Sequence, residues 1–169
     1  MDGNVKWRLA AILVLILAAN VDRVKSSQEV MKKMSTTFFK LLDECKKELS
    51  VSDDLIQGLV RFWREDADLG ARELGCVIMC IASKQDLVIL EDYKMHHENA
   101  YNFARDHGAD DETAKAIVKI VHDCEKNFDS NPDHCSRVME VAKCFRDEIH
   151  KLKWAPSVEV LIGELMSEA

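Results

Sequence analysis

Apolar residues recur at steps of three and four along most of the chain, which is the spacing of one face of an α-helix. The clearest stripe begins at Met31 and continues to Leu49. Further stripes predict helices near residues 55–63, 72–83, 96–107, 110–124 and 135–152. No segment alternates as a strand does, and residues 84–95 lack a clean period and are predicted to form the longest loop. The pattern therefore predicts an all-α protein, a compact bundle of about six helices.

The N-terminal region differs from these amphipathic stripes. Lys6 and Arg8 precede eleven consecutive apolar residues at positions 9–19. Such a run is too short to span a bilayer but matches the apolar region of a secretory signal peptide. Small residues that suit signal peptidase stand at Ala19 and Ser26. We expect residues 1–26 to be a signal peptide and residues 27–169 to be a single secreted domain.

Charge and composition narrow the class of partner. The chain has 30 Asp and Glu against 23 Lys and Arg, a net charge of −7. This balance argues against nucleic acid as a partner, because phosphate binding requires a basic surface. Hydrophobic residues make up 47% of the chain, enough to build a core.

Six cysteines change the picture for a secreted chain, because an even number in an oxidising compartment indicates disulfides. Cys76 and Cys80 lie four apart on a predicted helix, so their Cβ atoms are about 5–6 Å apart. A disulfide needs about 3.5–4.5 Å, so these two cysteines are expected to have different partners, and the remaining pairings stay open. A metal site at this pair is disfavoured, and the sequence assigns no metal ligand and no cofactor.

Short motifs accompany the cysteines. They are Phe62-Trp63, Gly75-Cys76-Val77-Ile78-Met79-Cys80, His96-His97, His107-Gly108-Ala109-Asp110, Val121-His122-Asp123-Cys124 and the segment 148–156. Together with the cysteine spacing, they resemble the insect odorant-binding protein family and, within it, the moth pheromone-binding proteins. The resemblance covers essentially all of residues 27–169, although the loop at 84–95 is slightly longer than is usual in the family.

The resemblance implies three disulfides, Cys45–Cys80, Cys76–Cys135 and Cys124–Cys144, and helices that enclose an apolar ligand cavity. Seven residues match pocket positions of the family: Phe38, Phe62, Trp63, Ile78, Val118, Val121 and Phe145. Met31 and Met34 add adaptable apolar side chains from the first stripe. Without the resemblance, the periodicity of these stripes would indicate an ordinary hydrophobic core.

The expected ligand is a long-chain alcohol, acetate or aldehyde. Ala82 stands where some moth members carry a serine that can hydrogen-bond a ligand, and Met79 stands where others carry asparagine. Ser35 and Ser83 are the hydroxyls that can replace that serine. The head group therefore stays open.

Two sets of titratable residues predict release of the ligand at acid pH. An amphipathic tail carries Glu159, Glu164 and Glu168 among apolar residues, and these carboxylates resist burial in the cavity until they are protonated. His96, His97 and His122 lie beside the long loop and the Val121 stripe, and charging them at acid pH favours opening. The resemblance supports this role for the three histidines.

The expected function is that of a carrier in antennal sensillum lymph, which delivers its ligand to an olfactory receptor or sensory membrane. Whether it forms a homodimer stays open. The chain lacks Gly-x-Ser-x-Gly and His-Glu-x-x-His motifs, so we expect no catalysis. The alternative is a secreted, disulfide-bonded signalling protein of the cytokine kind, which would have a solid core.

Overall fold

The computed structural model describes residues 3–167, with side chains described for residues 7–164. Within residues 3–167 there are eight helices: α1 (Gly3–Phe39), α2 (Leu42–Leu49), α3 (Asp53–Val60), α4 (Arg72–Lys84), α5 (His97–Asp106), α6 (Asp111–Phe128), α7 (His134–Lys151) and α8 (Val158–Ser167). Two short strands, β1 (Val88–Ile89) and β2 (Lys94–Met95), form a hairpin between α4 and α5. The predicted all-α class is confirmed, although the number of helices is higher than the pattern indicated.

Several helices begin where a side chain accepts a hydrogen bond from the first turn. Asp110 accepts from the Thr113 amide at 2.7 Å at the start of α6, and Asp133 accepts from the Ser136 amide at 2.7 Å before α7. His96 caps α5 through Nδ1, which accepts from the Asn99 amide at 3.3 Å. These contacts satisfy amide groups that a helix leaves unpaired at its N-terminus.

The structure differs from the predicted helices in two places. The stripe from Met31 to Leu49 is split by a turn at residues 40–41, where the Lys40 amide bonds the Thr37 carbonyl at 3.3 Å. The expectation of a strand-free loop at 84–95 was wrong, because Val88 pairs with Met95 and Ile89 with Lys94. A ladder of two residues on each side is too short to show as alternation in sequence.

The disulfides bind four helices into a covalent frame. Cys45–Cys80 joins α2 to α4, Cys76–Cys135 joins α4 to α7, and Cys124–Cys144 joins α6 to α7. These are the pairs that the family resemblance implies. As the residue spacing requires, Cys76 and Cys80 have different partners.

Helices α4 and α7 approach each other closely beside the Cys76–Cys135 bridge. A Cβ atom at Gly75 would lie 1.9 Å from the Cys135 carbonyl oxygen, so only glycine fits at this position. Val77 and Ile81 of α4 and Met139 and Ile149 of α7 are buried in the surrounding core. Helices α1, α2 and α3 and strand β1 pack against α4, and α6 packs against α7.

Helix α1 runs without a break across the predicted cleavage position. Its N-terminal apolar side chains are exposed, with Leu13, Val14 and Leu15 at 59%, 63% and 69%. Burial begins at Ser27, Val30 and Met31. Among residues 3–167, none of the helices combines the length and hydropathy needed to cross a membrane. The signal peptide and the single domain at 27–169 stay predictions.

Candidate ligand-binding site

A cavity of about 250 Å³ lies between α1, α4, α6, α7, the hairpin and α5. This is close to the lower end of the volumes of small-molecule sites, roughly 300–1,000 Å³. Nearly all of its wall is apolar, and Met, Phe, Val and Ile side chains dominate it. Such a wall holds alkyl chains and offers few polar partners to a water molecule.

Most of the residues predicted to bind the ligand lie in this wall. They are Met31, Met34, Ser35, Phe38, Phe62, Trp63, Ile78, Ala82, Val121 and Phe145. Val118 does not, and Ile117 takes its place on α6. Val118 follows Ile117 and is turned by about 100° from it around the helix axis. A contact between Val118 and the ligand stays a prediction.

The sequence patterns missed a large part of the wall. The hairpin segment contributes Leu87, Val88, Tyr93 and Met95, which belong to the region without a clean period. Helix α7 contributes Val138, Val141 and Ala142, and Val138 and Ala142 belong to the predicted stripe at 135–152. The α7 residues could have been found from that stripe, whereas the hairpin gave no signal.

Aromatic rings form one end of the cavity. Phe62 and Trp63 meet edge to face with centroids 5.1 Å apart, and the Trp63 ring lies 6.2 Å from Phe145. The Trp63 carbonyl is bonded by His150 Nε2 at 2.8 Å. This packing fixes the orientation of the indole.

A single hydroxyl group lies at this aromatic end. The Ser35 hydroxyl donates to the Met31 carbonyl at 2.7 Å and accepts from the Trp63 indole N–H at 2.9 Å. A serine hydroxyl has one proton and two lone pairs, so one lone pair is left for a ligand. Ser83, the other hydroxyl considered from the sequence, does not line the cavity.

Charged groups lie where the cavity meets the hairpin. Glu125 accepts from the Met95 amide at 2.6 Å, and Lys94 pairs with Asp129 at 2.9 Å. Burial raises the pKa of the Glu125 carboxyl above its ordinary value, and the Met95 N–H offsets part of that effect. The Arg137 guanidinium bonds the Asp92 carbonyl and so holds the hairpin turn to α7.

The three histidines assigned to the pH switch make different contacts. His96 caps α5, whereas the His97 and His122 rings meet edge to face with centroids 4.8 Å apart. None of the three is part of the ligand cavity wall. Their role in acid release stays a prediction.

Helix α8 of the tail docks against α1. Val158 and Leu161 are buried, and Glu164 pairs with Lys32 of α1 at 2.9 Å and accepts from the Thr36 hydroxyl at 3.2 Å. The Lys32 ammonium lowers the pKa of Glu164. A hydrogen bond from Ser157 lowers the pKa of Glu159, which is exposed. Glu168 lies outside the described residues.

A disulfide-bridged shell of helices around an apolar cavity defines a class of small helical binding proteins. Residues 27–148 match the family model described as the PBP/GOBP family. Since this match covers most of the chain, the protein belongs to the PBP/GOBP family.

Curated relatives and a solved structure agree with that assignment. The chain is 46% identical over 145 residues to pheromone-binding protein 2 of Epiphyas postvittana, covering 86% of this chain and 87% of that protein. It is 37% identical over 152 residues to general odorant-binding protein 2 of Bombyx mori, covering 89% and 94%. The crystal structure of Epiphyas postvittana pheromone binding protein 3 matches with a TM-score of 0.63 and 46% identity, covering 69% of this chain and 99% of that chain.

Proposed function

We propose that this protein is a carrier that binds a long-chain hydrophobic odorant or pheromone and keeps it dissolved in aqueous fluid. The observation that carries the proposal is the apolar cavity between the helices, with Met and Phe side chains in its wall. The names of the relatives, pheromone-binding and general odorant-binding proteins, support the same class of ligand. A signalling protein with a solid core would have no such cavity.

The affinity expected for a ligand of twelve to sixteen carbons follows from the free energy of transfer from water to the apolar cavity. Burying one CH2 group is worth about 0.8 kcal/mol, so twelve to sixteen carbons contribute roughly 10–13 kcal/mol. Association costs at least ~4 kcal/mol, which leaves about 6–9 kcal/mol and a dissociation constant between about 40 μM and 0.3 μM. This affinity holds a poorly soluble molecule and still permits its release.

The hydrogen bonds of Ser35 favour an alcohol as the head group. The single Ser35 proton is engaged by the Met31 carbonyl, and the Trp63 N–H is engaged by Ser35 itself. The lone pair that is left can accept a hydrogen bond but cannot give one. A hydroxyl group can donate to it, whereas the carbonyl oxygen of an acetate or an aldehyde cannot.

Release at acid pH is part of the proposal, and the ion pair between α8 and α1 supports it. The lowered pKa of Glu164 means that docking is stabilised above the ordinary carboxyl pKa of 4.5 and loses this stabilisation as pH falls through the lowered value. Lys32 is shared with Glu29 of α1 at 3.0 Å, so it keeps one partner after Glu164 is protonated. Acid therefore weakens the docking of the tail on α1, and a released tail can compete for the cavity.

Secretion completes the proposal. The family match begins at Ser27, directly after the expected cleavage position, and the apolar side chains before it are exposed. This supports removal of residues 1–26 and transport of the ligand through sensillum lymph to an olfactory receptor or sensory membrane.

Displacement of a fluorescent apolar probe tests the function. The full chain is expressed in insect cells, purified with its disulfides intact, and titrated at pH 7 and at a pH well below 4.5 with alcohols, acetates and aldehydes of fourteen and sixteen carbons. We expect micromolar displacement at pH 7, strongest for the alcohols, and weaker displacement below pH 4.5, where Glu164 becomes protonated. Absence of displacement at both pH values would contradict the carrier and favour a signalling protein. Equal affinity at both would contradict acid release alone.

A further inference from the structure

A second cavity, of about 380 Å³, lies beside the ligand cavity on the other side of the hairpin. Unlike the first, it is lined mainly by charged and imidazole side chains: Asp92, Lys94, His96, His97, Glu98, His122, Glu125, Lys126 and Asp129. The carboxylates in this set outnumber the lysines, so the cavity favours a cation. Glu125 and Met95 line both cavities and separate them.

Three of these side chains converge. His97 is the first residue of α5, whereas His122 and Glu125 lie three apart on α6 and therefore share a face. One ligand atom from each lies within 4.8 Å of the others. Ligand atoms in a tetrahedral zinc site are about 3.3 Å apart, given bonds of about 2.0–2.1 Å. His97 is exposed, so rotation of its side chain can close the difference.

The hydrogen bonding of His97, His122 and Glu125 leaves them available to bind a ligand. By comparison, His107 is not available, because both of its ring nitrogens are engaged, with the Phe103 carbonyl at 2.6 Å and the Thr37 hydroxyl at 2.8 Å. In the part of the chain that the structure describes, His97 and His122 make no such bond, and their rings meet edge to face. Glu125 accepts one hydrogen bond, from the Met95 amide, and this contact orients its carboxylate.

We propose that His97, His122 and Glu125 form a binding site for a divalent transition metal ion, with Zn²⁺ as the best match. Two imidazoles and one carboxylate suit Zn²⁺, whereas Ca²⁺ and Mg²⁺ prefer sites made of oxygen ligands. The Met95 N–H is the outer contact that fixes the carboxylate, an arrangement typical of metal sites. The exposure of His97 leaves the fourth coordination position to water.

A metal ion at this site would join the start of α5 to α6 across the hairpin. Glu125 is also part of the ligand cavity wall, and Met95 belongs to β2. An ion held by Glu125 would therefore hold the hairpin end of the ligand cavity in place. This consequence for the ligand rests on the proposed carrier function, whereas metal binding itself does not.

Isothermal titration calorimetry with zinc chloride tests the site. The full chain is produced without an affinity tag in insect cells, with its disulfides intact, and stripped with a chelator. We expect one Zn²⁺ per chain, and at least tenfold weaker binding in His97→Gln and in His122→Gln. Glu125→Gln keeps an oxygen for the Met95 N–H and is expected to weaken binding similarly. His134→Gln, an exposed histidine of α7 outside this cavity, is the matched control and should bind as the unaltered chain does.

Two outcomes would overturn the site. One is the absence of saturable zinc binding, and the other is binding that the His97 and His122 substitutions leave unchanged. Probe displacement in excess chelator is measured on the same samples. Probe binding without zinc binding would reject the metal site and keep the carrier, whereas zinc binding without probe binding would do the reverse.

Discussion

The indole N–H of Trp63 donates to the hydroxyl of Ser35 at 2.9 Å, at the aromatic end of the ligand cavity. The two residues belong to different elements, α1 and the turn after α3, so the pair is also a tertiary contact. Its polarity is fixed, because the Ser35 proton is directed to the Met31 carbonyl. The cavity thus offers an acceptor to its ligand at this end.

Substitution Ser35→Ala should reverse the preference among head groups. It removes the acceptor for an alcohol and frees the Trp63 N–H, which can then donate to the carbonyl of an acetate. We expect the ratio of alcohol to acetate affinity to fall about tenfold, which corresponds to roughly 1.4 kcal/mol. Probe displacement with matched sixteen-carbon ligands measures it. Ser83→Ala, which removes a hydroxyl outside the cavity, is the control, and an unchanged ratio in Ser35→Ala would refute the assignment.

Substitution Glu164→Gln should loosen the tail at neutral pH. It removes the charge that pairs with Lys32, and hydrogen exchange of amides 158–164, corrected for intrinsic rates, should become several-fold faster at pH 7. In the unaltered chain the same exchange should accelerate as pH falls, because protonation of Glu164 breaks the same pair. The variant should lack that pH dependence.

Glu159→Gln provides the matched control for this experiment. Glu159 lies on the same helix, but it is exposed and its carboxylate accepts from the Ser157 hydroxyl rather than pairing with Lys32, so its neutralisation should leave exchange unchanged. The sequence alone treats all tail carboxylates as equivalent. If both variants behaved alike, the Lys32 pair would not be what holds the tail.

Substitution Gly75→Ala should destabilise the whole domain. The added Cβ would overlap the Cys135 carbonyl, a backbone atom tied by the adjacent disulfide, so neither helix can move away cheaply. We expect the free energy of unfolding to fall by at least about 3 kcal/mol in urea titrations. Gly163→Ala on α8 meets no atom within 4 Å and should show no loss, since alanine favours a helix by about 0.5–1 kcal/mol. Equal stability of the two variants would contradict the close packing of α4 on α7.

The helical stripes predicted most of the fold because each buries one face at regular spacing. The break at Lys40 escaped this reasoning, since the apolar period continues through Leu42 and Cys45 although the backbone turns. The hairpin escaped it as well, because its two paired positions on each strand give no period. Local patterns detect helices, but not a turn that redirects them.

The cavity was predictable where the stripes face it and not elsewhere. Phe38, Ile78 and Phe145 follow from their stripes and the resemblance, whereas Tyr93 and Met95 depend on how the hairpin folds back. The convergence of His97 with Glu125 was hidden for the same reason, because residues distant in sequence meet only once the hairpin is formed. Such tertiary contacts produce no periodic pattern in the sequence from which they could be predicted.

One part of the cavity wall is cross-linked by the disulfides and the other part is not. The α4, α6 and α7 surfaces are cross-linked by disulfides, whereas α1, the hairpin and α5 carry none of the three bridges and are held by the backbone and by noncovalent contacts. A guest molecule can therefore exchange through local fluctuations of one side while the other stays fixed. The rate of exchange is then set by the opening of that side, and it is independent of the far larger barrier to unfolding the domain.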